Sequence, residues 1–263
     1  MNKKIIVFDL DNTLAKSKCP IEYPVTESLY LLLEKYDVAV ISGCRFEQFA
    51  KQVLAQLNLQ ENQKQRLHLF PTSGIQYYRY NLVNKWIKVY DERMTDKEIQ
   101  KIINALEIVI KDEGLDTLEC YGERIENREN CQITYSAYGQ QAPLEIKEKF
   151  DPDRSKRMKM REKLLNLLPE FSIRLGGKSS IDITQKGIDK AYGIRKIIEY
   201  LNVIPENILF IGDELNEGGN DYPVYEIGID CVKTSGPKET NEIINKIING
   251  DFVGLNIIHN RNT

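Results

Sequence analysis

The chain has 263 residues, 41% of them hydrophobic, enough to bury the core of one large domain or two smaller ones. Thirty-six basic residues stand against 39 acidic ones, a formal net charge of -3 without a long basic block, which argues against nucleic acid as a partner. No 18 consecutive apolar residues occur and IIVFDLD follows two lysines directly, so neither a membrane span nor an export signal is expected. Cys19, Cys44, Cys120, Cys131 and Cys231 are odd in number, scattered and without C-x-x-C, which fits a reducing cytoplasm better than a disulfide framework or a zinc site. With only His68 and His259, a Ser-His-Asp triad or a histidine-rich metal site has almost nothing to draw on, and acid-base chemistry falls to carboxylates or lysine.

In chain order, Lys4 to Phe8, Val38 to Ser42 and Leu67 to Phe70 are short apolar segments, and the spacing predicts buried parallel strands. Between the first two, SLYLLLEKY has helical length; after the second, Phe46, Phe49, Val53, Leu54 and Leu57 form a helical stripe. From about residue 80 the character changes. Thr95 and Glu98 form a capping box ahead of Ile99, Ile102, Ile103, Leu106 and Ile110, and a second amphipathic stretch runs from about Arg154 to Leu168. LECYGERIENRENCQITYSAYG and FSIRLGGKSSIDIT alternate polar and apolar positions, as half-exposed antiparallel strands do. The first pattern then returns, with a helix carrying Ala191, Ile194, Ile197, Ile198 and Leu201 and the continuous apolar strand ILFIG. The expected architecture is α/β, a parallel core of residues 1-80 and 187-263 interrupted by an α+β domain at 81-186.

The candidate chemistry sits where the first strand ends. Asp9 and Asp11 in FDLDNTL leave the C-terminal edge of that strand, where open α/β sheets bind ligands, and residues two apart in extended chain project to one side. Two adjacent like charges call for a hard divalent cation, of which Mg²⁺ is the best match to carboxylate oxygens. Asp213 ends the late strand, and GDELNEGGND carries Asn220 and Asp221 on a loop that Gly212, Gly218 and Gly219 allow to turn tightly, so a third carboxylate is at hand. Asp151-Pro-Asp153 repeats the D-x-D spacing in a charged, turn-like segment and is read as a chance match.

FDLDNTL, Ser42 in VISGC, Lys190 in GIDKAY and GDELNEGGND, in that order, resemble the four motifs of the haloacid dehalogenase (HAD) superfamily. Within it the chain is similar to the type IIB capped members, most of all the eukaryotic-type phosphomannomutases and neighbouring sugar-phosphate phosphatases, over roughly residues 4 to 245. The resemblance implies a Rossmann-like core with an inserted cap, Asp9 as nucleophile, Asp11 as acid-base residue, and Ser42 and Lys190 on the transferring phosphoryl group. It implies Mg²⁺ on Asp9, the Asp11 carbonyl and Asp213, with Asn220 and Asp221 of the same acidic loop as further metal ligands. The mutases hold a second phosphate with cap arginines; Lys18, Arg128, Gln140, Lys147, Ser180 and Asp182 fall at or near the corresponding positions. Gln140 and Lys147 stand where arginines are expected, and ISGCR departs from the usual glycine pair, although Arg124, Arg174 or Lys178 could substitute. The expected reaction is therefore hydrolysis of a small sugar phosphate, with hexose-phosphate isomerisation primed by a hexose bisphosphate as the alternative and non-catalytic phosphosugar binding as the third reading. The same resemblance implies a homodimer through the cap.

Overall fold

The computed structural model describes residues 3–260, and the chain divides into two compact units, one through Asp91 and from Asp189 onward, the other Glu92–Ile188. The elements in order are β1 (Ile5–Asp9), α1 (Val25–Leu33), β2 (Asp37–Ile41), α2 (Phe46–Gln52), α3 (Glu61–Gln65), β3 (Leu67–Phe70), β4 (Gln76–Asn81) and β5 (Lys85–Asp91). The second unit holds α4 (Asp96–Asp112), β6 (Ile125–Arg128), β7 (Gln132–Ser136), α5 (Leu144–Phe150), α6 (Ser155–Leu167), β8 (Phe171–Gly176) and β9 (Ser180–Gln185). The first unit resumes with α7 (Lys190–Leu201), β10 (Ile208–Gly212), α8 (Tyr222–Glu226), β11 (Asp230–Lys233), α9 (Pro237–Ile248) and β12 (Ile257–Ile258).

The first unit is built on an eight-stranded sheet in the order β12-β11-β10-β1-β2-β3-β4-β5. From β11 to β3 neighbouring strands run parallel, and β12, β4 and β5 are added antiparallel at the two edges. Period-two alternation explains the layers. Ile6, Phe8, Val38 and Val40 pack on one face with Leu29 of α1 and Ile244 of α9, whereas Ile5, Val7, Ala39 and Ile41 pack on the other with Ile194 and Ile197 of α7. Both faces are covered, so the central strands read as unbroken apolar runs.

The boundary near residue 80 is corrected by this pairing. β5 forms a hairpin with β4, and Trp86, Val89 and Tyr90 pack against the first unit's core, which moves the junction to Asp91/Glu92. The return lies at Ile188/Asp189, two residues past the expected 186/187.

The second unit is the expected α+β insertion, a four-stranded antiparallel sheet in the order β6-β7-β9-β8. Ile133, Tyr135, Ile173, Ile181 and Ile183 bury one face against α4 and α6, and the alternate positions leave the other face polar. The strand expected to begin near Leu118 starts only at Ile125. The Arg124 guanidinium bonds the carbonyls of Asp116 and Leu118, at 3.0 and 2.6 Å, and holds that stretch as a turn. Thr95 caps α4, with its backbone N–H donating to Glu98 at 2.7 Å. Among the described residues all five cysteines are free, and no helix is long and apolar enough to cross a membrane.

Candidate active site

Strand register assembles the site. Asp9 is paired with Ile41, and Phe8 with Ile211, so the C-terminal ends of β1, β2 and β10 place Asp9, Ser42 and Asp213 along one sheet edge. The chain reverses its winding across β1, with β2 on one side and β10 on the other, and such a switch point opens a crevice for ligands.

Asp9, Asp213 and Asp221 each offer a carboxylate oxygen within 4.8 Å of the others. Lys190, the first residue of α7, reaches into them: its Nζ is 2.7 Å from Asp9 and 2.5 Å from Asp221, and it donates to Asn220 Oδ1 at 2.6 Å. Asp9 and Lys190 are each 4% exposed and Asp221 is fully buried, so water screens these charges poorly. Burial pushes the Asp9 carboxyl up to about 7; Lys190 pulls it down and the Asp221 charge raises it further. Asp213 is raised as well, by burial first and then by Asp221. Burial alone would lower the Lys190 ammonium, but Asp9 and Asp221 outweigh it and raise its pKa. One ammonium among three carboxylates leaves negative charge uncompensated, and an all-oxygen donor set of this kind suits a hard divalent cation.

Two close backbone approaches hold Lys190 in place. Gly74 follows β3 at φ +87, and a Cβ there would come 2.5 Å from the Gly193 Cα on the first turn of α7. A side chain on Gly193 would in turn meet Ile41 of β2 and the Ser73 carbonyl. The helix start is fixed by Asp189, whose carboxylate accepts the Tyr192 N–H at 2.9 Å. On the opposite side, Asp221 accepts the Glu214 N–H at 3.0 Å and lies so near the Gly212 Cα that any Cβ would collide with it. The loop after β10 therefore folds back on itself and presents both Asp213 and the residues that grip Lys190.

The remaining expected residues divide between the two units. The Asp11 carboxylate is not one of the trio and accepts the Lys18 N–H at 2.6 Å, and the chain turns at Asn12, where φ is +58. The Lys18 side chain is exposed. Ser42 is 4% exposed, and its Oγ accepts the Cys44 N–H at 3.3 Å. Asn220 places its side-chain oxygen on Lys190, which occupies the atom expected for a cation.

In the second unit Arg128, Ser180 and Asp182 share the polar sheet face: Thr134 is opposite both Glu126 and Asp182, and Asp182 is opposite Arg174. Arg128 is 2.8 Å from Glu126, and Thr134 donates to Asp182 at 2.8 Å. Burial raises the Asp182 carboxyl despite the Thr134 hydrogen bond. Gln140 and Lys147 lie off the sheet, joined by a 2.8 Å bond from Lys147 Nζ to the Gln140 carbonyl.

Three participants were not read from the sequence. Thr13, inside FDLDNTL, directs its hydroxyl to Asp213 at 3.4 Å. Cys44 lies within the field of both Asp9 and Asp11, and burial first, then those charges, push its thiol up to about 12. The Gly74–Gly193 contact had one local signal, a glycine inside a helical pattern, which marks close packing when the helix persists.

Comparison with known proteins gives a consistent result. Residues 25–250 match the sequence model described as eukaryotic phosphomannomutase. The phosphomannomutase of Encephalitozoon cuniculi is 29% identical over 235 residues, covering 85% of this chain and 84% of that protein. That of Dendrobium officinale is 30% identical, with 84% coverage of each. Among solved structures, a haloacid dehalogenase-like hydrolase from Bacteroides thetaiotaomicron aligns with TM-score 0.63 at 16% identity over 93% of this chain and 99% of its own. Trehalose-6-phosphate phosphatase of Aspergillus fumigatus aligns with TM-score 0.61 at 15% identity, covering 94% and 93%. These two likenesses show that the chain shares their fold.

Proposed function

The chain belongs to the eukaryotic phosphomannomutase family, and from that premise and the Asp9 site we propose that it is a Mg²⁺-dependent phosphotransferase hydrolysing a small sugar phosphate through an aspartyl phosphate. The observation that carries the reading is the buried Asp9–Lys190–Asp221 cluster with Asp213 beside it, because binding alone would not need a nucleophile held against a cation. Asp9, Asp213 and the Asp11 carbonyl would hold Mg²⁺, with Asp221 behind them; the ion supplies charge neutralisation for the transferring phosphoryl oxygens.

Asp9 forms the bond to phosphorus as the phosphorus–sugar oxygen bond breaks, and the departing oxygen takes its proton from the Asp11 carboxyl. Water then attacks phosphorus, returns a proton to Asp11 and frees Asp9. Lys190 keeps Asp9 oriented and balances phosphoryl charge, while Asn220 and Asp221 hold its ammonium in place. Ser42 offers its hydroxyl hydrogen to a phosphoryl oxygen, since its lone pair takes the Cys44 amide.

Water is favoured as acceptor by the charge on the inserted unit. Arg128 is paired with Glu126, Arg174 stands opposite Asp182, and Gln140 supplies no charge, so the polar face has no net cation for a second phosphate. The mutase reading is supported by the family match and by Arg128, Ser180 and Asp182 sharing a face. Incubation with mannose 6-phosphate and Mg²⁺, with and without a hexose bisphosphate, separates them. Steady phosphate release that needs no bisphosphate is expected; interconversion of 1- and 6-phosphates without release would replace hydrolysis by isomerisation.

A further inference from the structure

The corner after β3 bends against residue preference. Thr72, Ser73 and Gly74 all have left-handed φ, at +52, +57 and +87, and two of the three carry a Cβ, one of them β-branched. Such a run persists only where its surroundings hold it, and strain of this kind gathers at functional sites. The corner joins two parts of the site. The Thr72 N–H donates to the Cys44 carbonyl and the Ser73 N–H to the Ser42 carbonyl, each at 2.9 Å, so the corner carries the segment that presents the Ser42 hydroxyl. On its other side Gly74 lies against Gly193, on the first turn of the helix that begins with Lys190. One corner therefore supports both Ser42 and Lys190.

The corner is itself tied down from β5. Tyr90, the last but one residue of that strand, donates its hydroxyl to the Gly74 carbonyl at 2.6 Å. Its ring is held by α7: the Tyr200 ring lies 4.6 Å away between centroids, and the Lys196 Nζ is 5.4 Å from the Tyr90 centroid. Gly193, Lys196 and Tyr200 recur at intervals of three and four, so one face of α7 meets the corner at its start and Tyr90 further along. We infer that Tyr90 is a positioning residue for Ser42 and Lys190, acting on both through the corner at Thr72, Ser73 and Gly74. The inference rests on the reading that these two groups contact the transferring phosphoryl oxygens.

Tyr90→Phe keeps the ring and its packing on Tyr200 and removes only the hydroxyl. With mannose 6-phosphate and Mg²⁺, read as phosphate released or isomer formed, kcat is expected to fall about ten-fold while KM stays within about two-fold, because the displaced contacts are those of the transferring phosphoryl group. Orthovanadate, a mimic of that group, supplies a readout besides turnover: with Mg²⁺ it should bind the variant about ten-fold more weakly by calorimetry. Tyr80→Phe is the control. It deletes a tyrosine hydroxyl on β4 of the same sheet, 3.4 Å from Glu61 and 3.3 Å from Lys85, and should leave kcat and vanadate affinity within about two-fold of native. A purely structural Tyr90 would lower the melting temperature and leave kcat and vanadate affinity native, which overturns the inference, as would equal losses in the two variants. Should Tyr90→Phe not fold, Lys196→Met decides, since it takes the cation from the Tyr90 ring: a kcat about three-fold lower at unchanged KM supports the inference and a native kcat overturns it. If mannose 6-phosphate is not turned over, the vanadate comparison decides alone; a native chain that binds no vanadate with Mg²⁺ ends the Asp9 reading and this one with it.

Discussion

Replacing Gly74 by alanine tests how the fold places Lys190. Two costs add. The residue sits at φ +87, where an L side chain pays about 1–2 kcal/mol in backbone strain, and the new Cβ would lie 2.5 Å from the Gly193 Cα, an overpacking term of about 1–3 kcal/mol that backbone cannot relieve cheaply. The total is about 2–5 kcal/mol. Gly250, in the same unit, isolates the first term, because it has φ +74 and nothing within 4 Å of an added Cβ, so Gly250→Ala is expected to cost only about 1–2 kcal/mol. Urea unfolding of both variants gives the difference. Turnover adds a second readout: α7 must shift away from Gly74, and Lys190 at its first position moves with it, so kcat falls at least about ten-fold in Gly74→Ala and stays near native in Gly250→Ala. If the two variants matched within about 0.5 kcal/mol and both kept native kcat, the close approach would not be what seats the lysine.

Removing the ammonium with Lys190→Met leaves Asp9 and Asp221 buried without a cation, a loss of about 3–5 kcal/mol in EDTA. The gap in melting temperature between Mg²⁺ and EDTA should widen relative to the native chain, since the ion no longer competes with a resident positive charge; an unchanged or narrower gap would contradict the shared site. His68, whose Nδ1 lies 2.8 Å from the Tyr77 hydroxyl, predicts a pH dependence of stability. Burial first, and Arg79 second, lower its pKa from 6.5 to about 4, so the unfolded chain binds more protons between those values. The stabilisation is complete above pH 6.5 and is lost as pH falls toward 4, amounting to about 3 kcal/mol. His68→Gln should flatten that part of the stability-pH curve, and an unaltered slope would show that His68 does not carry it.

The parallel core was legible because strands buried on both faces must be continuously apolar, and Asp9 and Asp213 were legible because strand ends are positions as well as residue types, whereas Lys190 stood out only through the motif order of the family it resembles. The destination of β5 was not. KWIKVYD alternates as a half-exposed strand, and such a pattern does not say which of two sheets it will join; its pairing with β4 decides it. Within the site, the roles of Asn220 and Asp221 depended on the loop after β10 folding back against Gly212 and Gly219, a tertiary approach with no local periodicity. The bond from the Lys18 N–H to the Asp11 carboxylate forms where the left-handed turn at Asn12 ends the extended geometry assumed for the pair. Asp151 illustrates the converse. Read from its spacing to Asp153 as a chance match, it is buried as the partner of Arg157.

The claim on which the rest depends is that Asp9 carries the phosphoryl group. Rapid quenching of the chain with a radiolabelled sugar phosphate and Mg²⁺, followed by peptide mapping, tests it most directly. The account predicts a hydroxylamine-labile label on the peptide containing Asp9, absent from Asp9→Asn, which also loses turnover. Label on another peptide, or native turnover in Asp9→Asn, would contradict it.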